Sequence, residues 1–200
     1  MKRARIALHL VIWLALAVVA LLLAARFGVF SGKPPTDIGV QGGKLKAPAK
    51  TPNCVSSQTD LWPDAPRKDE ARIAPIALQG DGTATMAKIA AVIEDLPGSH
   101  LVLRRDDYLY AQFTTPLMRF VDDVEFWFDP TAGVVQLRSA SRVGRKDFGV
   151  NRARIESIDL AQLVSPGREH HDWNVGPQTK SGDDVEAVDV GETQIEQHGV

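Results

Sequence analysis

The residues best equipped for chemistry lie between positions 138 and 154. Arg138, Arg142, Arg145, Lys146, Arg152 and Arg154 stand there against one acid, Asp147. A planar guanidinium fork matches the geometry of a carboxylate or phosphate. Gly144, Gly149 and Asn151 free the backbone for unusual conformations. The segment also leads into the start of a helix, where unpaired N–H groups and the positive dipole end favour an anion. Arg138, Arg142, Arg145, Lys146, Asn151 and Arg152 are therefore the candidates for holding an anionic small molecule or a lipid headgroup. On that reading Arg142→Ala weakens ligand binding and leaves the melting temperature nearly unchanged. The same arginines have a plainer use. Glu125, Asp122, Asp123 and Asp147 are available as partners that would pin a long connection to its sheet, and such ion-pair networks imitate binding sites.

A second kind of chemistry rests on Cys54, the one cysteine of the chain. It sits in a polar stretch, Asn53-Cys54-Val55-Ser56-Ser57-Gln58. As a nucleophile it needs a base or a positive neighbour. His100 or an arginine of the basic segment is a candidate for that role, with Asn53 or Gln58 placing a substrate carbonyl. Against this, no cysteine-hydrolase signature surrounds Cys54, and a small thiol also serves as a buried packing residue. One cysteine excludes an intrachain disulfide and a multi-cysteine zinc site. His170, His171 and Asp172 are adjacent in sequence with no third ligand spaced to help them, so no metal is expected. No phosphate-cradling or dinucleotide fingerprint occurs, so no cofactor is expected either. The basic charge is local and the chain carries a net −2, which argues against nucleic acid.

The elements that must position these residues follow from composition and period. Residues 6–25 read IALHLVIWLALAVVALLLAA, with no formal charge. As a helix they span about 30 Å, the thickness of a hydrocarbon core. Lys2, Arg3 and Arg5 precede them, which favours a cytoplasmic N-terminus. No small-residue cleavage site follows, so an uncleaved signal anchor is preferred over a removed signal peptide. Residues 1–5 are its basic flank, 26–37 a linker, 38–164 an α+β domain and 165–200 a tail. The glycine- and proline-rich stretch 27–52 reads as a tether turning into an extended arm. Residues 53–70 read as loop, with Trp62 pinning them to the domain. Residues 72–78 read as a short edge strand limited by Pro75.

Met86, Ile89, Ala90, Ile93 and Leu96 recur at helical spacing after Asp81, and Pro97-Gly98 ends that helix. Residues 100–104 and 108–114 alternate around Arg105-Asp106-Asp107, a hairpin. A second hairpin has its loop at 130–133. There Phe128 faces Val135, Phe126 faces Leu137 and Val124 faces Ser139 on an apolar side. Glu125 faces Arg138 and Trp127 faces Gln136 on a polar side, as for a sheet with one covered face. A last helix starts near Asn151 and points Ile155, Ile158, Leu163 and Val164 inward. The expected fold is α+β: a mainly antiparallel sheet of four to five strands with two helices on one face, preceded by one transmembrane helix. Past residue 165 eight acids outnumber Arg168 and Lys180, a composition expected of a disordered tail. A net −6 tethered near a basic loop also invites an autoinhibitory contact.

The blocks Asn53-Cys54-Val55-Ser56-Ser57-Gln58, Asp122-Asp123-Val124-Glu125-Phe126, Arg138-Ser139-Ala140-Ser141-Arg142-Val143-Gly144-Arg145 and Asp147-Phe148-Gly149-Val150-Asn151-Arg152 together resemble the DUF1499 family, over residues 38–164. The resemblance implies a small, often membrane-associated domain of bacteria and plant plastids with no established activity. Many relatives carry a second cysteine ahead of the Asn53 block, where this chain has Ala47-Pro48-Ala49-Lys50, so thiol-pair chemistry has no basis here. The expectation is a binding or accessory module, single-pass in the plasma membrane, with its domain outside the cytoplasm. Its basic loop would face an anionic ligand or the headgroups of its own membrane. The alternative is a cysteine-dependent enzyme using Cys54, and a purely structural partner of an envelope complex is not separable from the first reading by sequence.

Overall fold

The computed structural model describes residues 2–164, with the Val164 side chain outside the description. Met1 and the acidic segment 165–200, including His170, His171 and Asp172, lie outside the described residues, and with them the expectations of a disordered tail and of autoinhibition.

Helix α1 runs Lys2–Arg26, and its 25 residues are long and apolar enough to cross a membrane. Beyond it the chain builds one antiparallel sheet. Strand β1 is Cys54–Ser56 and β2 is Ile76–Ala77; a short helix α2, Lys68–Ala71, lies between them. Helix α3, Gly82–Asp95, leads into β3, Ser99–Arg104, β4, Tyr108–Thr114, β5, Val121–Asp129, and β6, Val134–Ser141; helix α4, Val150–Val164, closes the described chain. The strand order is β1-β6-β5-β4-β3, with β2 also paired to β6. The fold is α+β, as the pattern predicts.

The β5–β6 register is the one the alternation dictates: Val124 opposite Ser139, Glu125 opposite Arg138, Phe126 opposite Leu137, Trp127 opposite Gln136 and Phe128 opposite Val135. Period two leaves no other choice once one face is buried, because a one-residue slip would turn every apolar side chain outward. Asp81 starts α3 by accepting the Ala84 N–H at 2.7 Å. Met86, Ile89, Ala90 and Ile93 then enter one core with Leu109, Val124, Phe126, Leu137, Ile155 and Ile158. Gly98 ends the helix connection at φ 75, where an added Cβ would meet the Thr114 carbonyl oxygen at 2.5 Å. Both the left-handed backbone and the close approach require glycine.

Three expectations need correction. Residues 54–56 form a strand, not a loop. A three-residue strand buried on both sides has no alternation to reveal it. On α4 the inward stripe is Asn151, Ile155, Ile158 and Gln162, spaced four, three and four, while Leu163 is 50 % exposed. The helical period reaches Gln162, and apolarity alone pointed to the wrong neighbour. Finally, the sheet has two covered faces. The arm 38–47 lies over the polar face, where Leu45 is 1 % exposed and clusters with Tyr108, Tyr110, Ile38, Val40, Leu103 and Trp127. Gln58 fixes the arm as a backbone partner would, accepting the Leu45 N–H at 2.7 Å and donating to the Gly43 carbonyl at 3.0 Å.

Candidate functional site

The face beneath the arm is built from alternate residues of the central strands. Asp123 and Glu125 point there from β5, Tyr108, Tyr110 and Gln112 from β4, and Arg138 from β6. Asp123 and Glu125 are 4 % and 1 % exposed, and buried carboxylates require donors. The Tyr108 hydroxyl and the Gly39 N–H both donate to Glu125 Oε1 at 2.7 Å. Glu125 Oε2 is buried with no hydrogen-bond partner. Arg138 faces Glu125 in register yet makes no ion pair with it among the described residues. Its Nε donates to the Ala47 carbonyl at 3.2 Å, so it holds the arm. Asp123 receives a two-pronged guanidinium from Arg142, Nε to Oδ2 at 2.8 Å and Nη2 to Oδ1 at 2.7 Å, plus the Tyr110 hydroxyl at 2.6 Å. Burial first, and then the charge and hydrogen bond of Glu125, hold the Tyr108 hydroxyl far above the usual tyrosine range. Burial and the bond to Asp123 raise Tyr110 likewise.

The loop between β6 and α4 is tied to the opposite face by a second network. Asn151 is fully buried. Its Nδ2 donates to the Asn53 carbonyl at 3.1 Å, Ser141 Oγ at 3.1 Å and Asp147 Oδ2 at 2.8 Å, and its Oδ1 accepts from Ser139 Oγ and from Arg154 at 2.8 Å. Asn53 in turn donates to the Gly144 carbonyl at 3.1 Å. Arg154 pairs with Asp122 at 2.6 Å and lies over the Phe113 ring at 4.6 Å.

The start of α4 already holds its anion. Asp147 accepts the Gly149 N–H at 3.2 Å and the Asn151 N–H at 2.9 Å. Burial raises its carboxyl, but the hydrogen bonds from Asn151 and Gly149 outweigh that and leave it below the ordinary aspartate range. Three of the N–H groups expected for a ligand, those of Gly149, Val150 and Asn151, are thus taken by Asp147.

Set against the six candidates for anion binding, four have internal partners. Arg138 holds the arm, Arg142 pairs with Asp123, Asn151 is the hub of the second network, and Arg152 donates to the Glu70 and Arg72 carbonyls at 3.2 and 2.7 Å. Arg145 and Lys146 are exposed and make no hydrogen bond or ion pair with the described residues. Beside them Phe148 is 95 % exposed. Nothing in the sequence singles out the phenylalanine, whereas Asp122 and Asp123 of β5 take the role of arginine partners expected of them, with Arg154 and Arg142. Two carboxylates alternating with core residues on one strand were the available signal for the buried network.

Cys54 and His100 are not brought together. They belong to one cross-strand row, Cys54, Ala140, Asp123, Gln112, His100, and stand at its two ends. Four strand spacings separate them, about 19 Å. Cys54 is 4 % exposed, and its thiol bonds only to the Val55 carbonyl, at 3.7 Å. His100 lies exposed on the far edge strand. This arrangement supplies no base to the thiol. Among the described residues no group of three or more histidine, cysteine, aspartate or glutamate side chains is placed to hold a metal ion.

These features define a small α+β domain carried behind an apolar helix long enough to span a bilayer, with the quoted sequence blocks folded into two buried polar networks on opposite faces of one sheet. The chain belongs to the DUF1499 family, described as a protein of unknown function, whose model matches residues 44–161. No curated protein and no solved structure matches the chain.

Because Arg142 and Asp123 are each 6 % exposed as side chains, removing one partner strands a buried charge. Arg142→Ala is therefore expected to destabilise the fold by about 3–5 kcal/mol in chemical denaturation, contrary to the small effect a ligand-only role requires. Asp147→Asn should lower stability by about 1 kcal/mol near neutral pH. A depressed folded pKa contributes stability above the unfolded value of about 3.9 and loses it as pH falls through the folded value. The wild-type advantage over the variant should accordingly shrink as denaturation is repeated below about pH 4. Cys54 should react with a thiol reagent at least about 100-fold more slowly in the native protein than after denaturation, as expected of a buried thiol without activation.

Proposed function

We propose that this chain is a membrane-anchored binding or accessory module. On this reading residues 6–25 are a single-pass anchor with a cytoplasmic N-terminus, and the domain stands outside the cytoplasm. Arg145 and Lys146 engage an anionic group of the phosphate class, on a lipid headgroup or a small molecule. One observation carries the reading. In a loop whose other charged residues all have partners inside the fold, these two cations have none among the described residues. A solvated pair of this kind gains about 1 kcal/mol per cation near an anionic surface.

The reading is tested with full-length protein in neutral detergent, titrated calorimetrically with dihexanoylphosphatidylglycerol and, in a parallel arm, with glycerol phosphate. Binding that weakens with salt is expected. The double variant Arg145→Gln, Lys146→Gln should lose about 2 kcal/mol, roughly 30-fold in affinity, at an unchanged melting temperature. Affinity for both probes that is indifferent to the double substitution overturns the assignment. Binding of the lipid but not of glycerol phosphate selects the headgroup over a free anion.

A further inference from the structure

The loop that carries the two cations without partners among the described residues also carries an aromatic side chain with no place in the core. Phe148 is 95 % exposed and sits at φ 54, a left-handed conformation that L-residues with a bulky side chain rarely occupy. Gly149 follows at φ 84. Asp147 fixes this turn from below, taking the Gly149 N–H on its carboxylate and the Val150 N–H on its carbonyl. The result is a short tip, tied by these two bonds, on which Arg145, Lys146 and Phe148 are all exposed.

The position of the tip along the chain gives it a partner. Gly32 packs so closely on the loop that an added Cβ would lie 2.7 Å from the Arg142 Cβ and 2.9 Å from the Val143 side chain. Phe30 meets Phe120, in the neighbouring β4–β5 connection, at a ring separation of 6.1 Å. The apolar helix ends at Arg26. Six residues of chain reach at most about 21 Å, so Gly32, and the base of the loop packed against it, lie within roughly that distance of the end of α1. Leu117, in the same β4–β5 connection, is 67 % exposed, and Phe27 at the helix exit is 83 % exposed. Aromatic and basic residues side by side, at the exit of an apolar helix, match the composition of a membrane–water interface.

We infer that residues 145–150 form a docking tip that inserts Phe148 into the anionic bilayer surface from which α1 emerges, with Arg145 and Lys146 on the surrounding phosphates. This rests on the anion-binding reading of the two cations and names their partner as the bilayer itself.

The test uses full-length protein in nanodiscs of phosphatidylcholine, with and without phosphatidylglycerol. Phe148→Cys is compared with Leu160→Cys, a position 64 % exposed on α4 and ten residues past the helix start. The unsubstituted protein measures the background from buried Cys54. With a membrane-impermeant maleimide, Cys at 148 should react at least tenfold more slowly than Cys at 160 in anionic discs, and the protection should weaken in neutral discs and when Arg145→Gln, Lys146→Gln is added. Equal rates at the two positions in anionic discs overturn the insertion, whatever the headgroup titration shows. Protection that is the same in both lipid compositions and indifferent to the charge substitutions overturns the anionic surface as the partner. Loss of headgroup affinity in the double variant, together with a freely reactive Cys at 148, leaves the anion-binding reading standing and removes only this inference.

Discussion

Two carboxylates on the central strand set the terms for this fold. Asp123 and Glu125 alternate with Val124 and Phe126 on β5, so the same period that builds the core drives two acids onto the opposite face. An uncovered face would leave them solvated and harmless. Covering it removes their water, and each then needs donors from the covering elements. That requirement accounts for the tyrosines at alternate positions of β4, for the two-pronged Arg142, and for the Gly39 N–H supplied by the arm. The glycine- and proline-rich arm is thereby structural. Its Leu45 is buried like the residues of the main core, and Gln58 clamps its backbone.

The basic stretch after the last hairpin resolves under the same accounting. Seen as a line of residues it is a concentrated positive patch. Folded, it is distributed over three places: Arg138 and Arg142 under the arm, Arg152 and Arg154 on the helix side, and Arg145 with Lys146 in solvent. Asn53, Ser139, Ser141, Asp147 and Asn151, drawn from three of the sequence blocks that mark the family, meet in one hydrogen-bonded cluster. Much of what makes these blocks distinctive is thus explained by folding, because a buried network is stable only when nearly every member is satisfied.

Cysteine chemistry loses its support for a related reason. The sheet that gathers the network together also separates Cys54 from His100 by its full width and covers the thiol. Exposed Leu117, Phe120 and Phe148 lie in the β4–β5 connection and the β6–α4 loop, the two connections that Phe30 and Gly32 touch just after α1.

The sequence by itself determined the apolar helix, the α3 stripe, both hairpins, the β5–β6 register and the family, because periodicity and turn chemistry act over neighbouring residues. It also placed Arg138 on a strand, Arg142, Arg145 and Lys146 on the connection after it, and Arg152 and Arg154 at the start of the last helix. It did not reveal β1, the inward Gln162, or the arm's role as a second cover, since each depends on what packs against it from far along the chain. The division of the charged loop was likewise decided only in three dimensions. Arg142 and Arg145 are three residues apart and chemically identical, yet one is buried against Asp123 and the other is exposed, with no partner among the described residues. Only the tertiary structure assigns them, because an arginine's role is set by which carboxylate the fold brings within reach of its guanidinium.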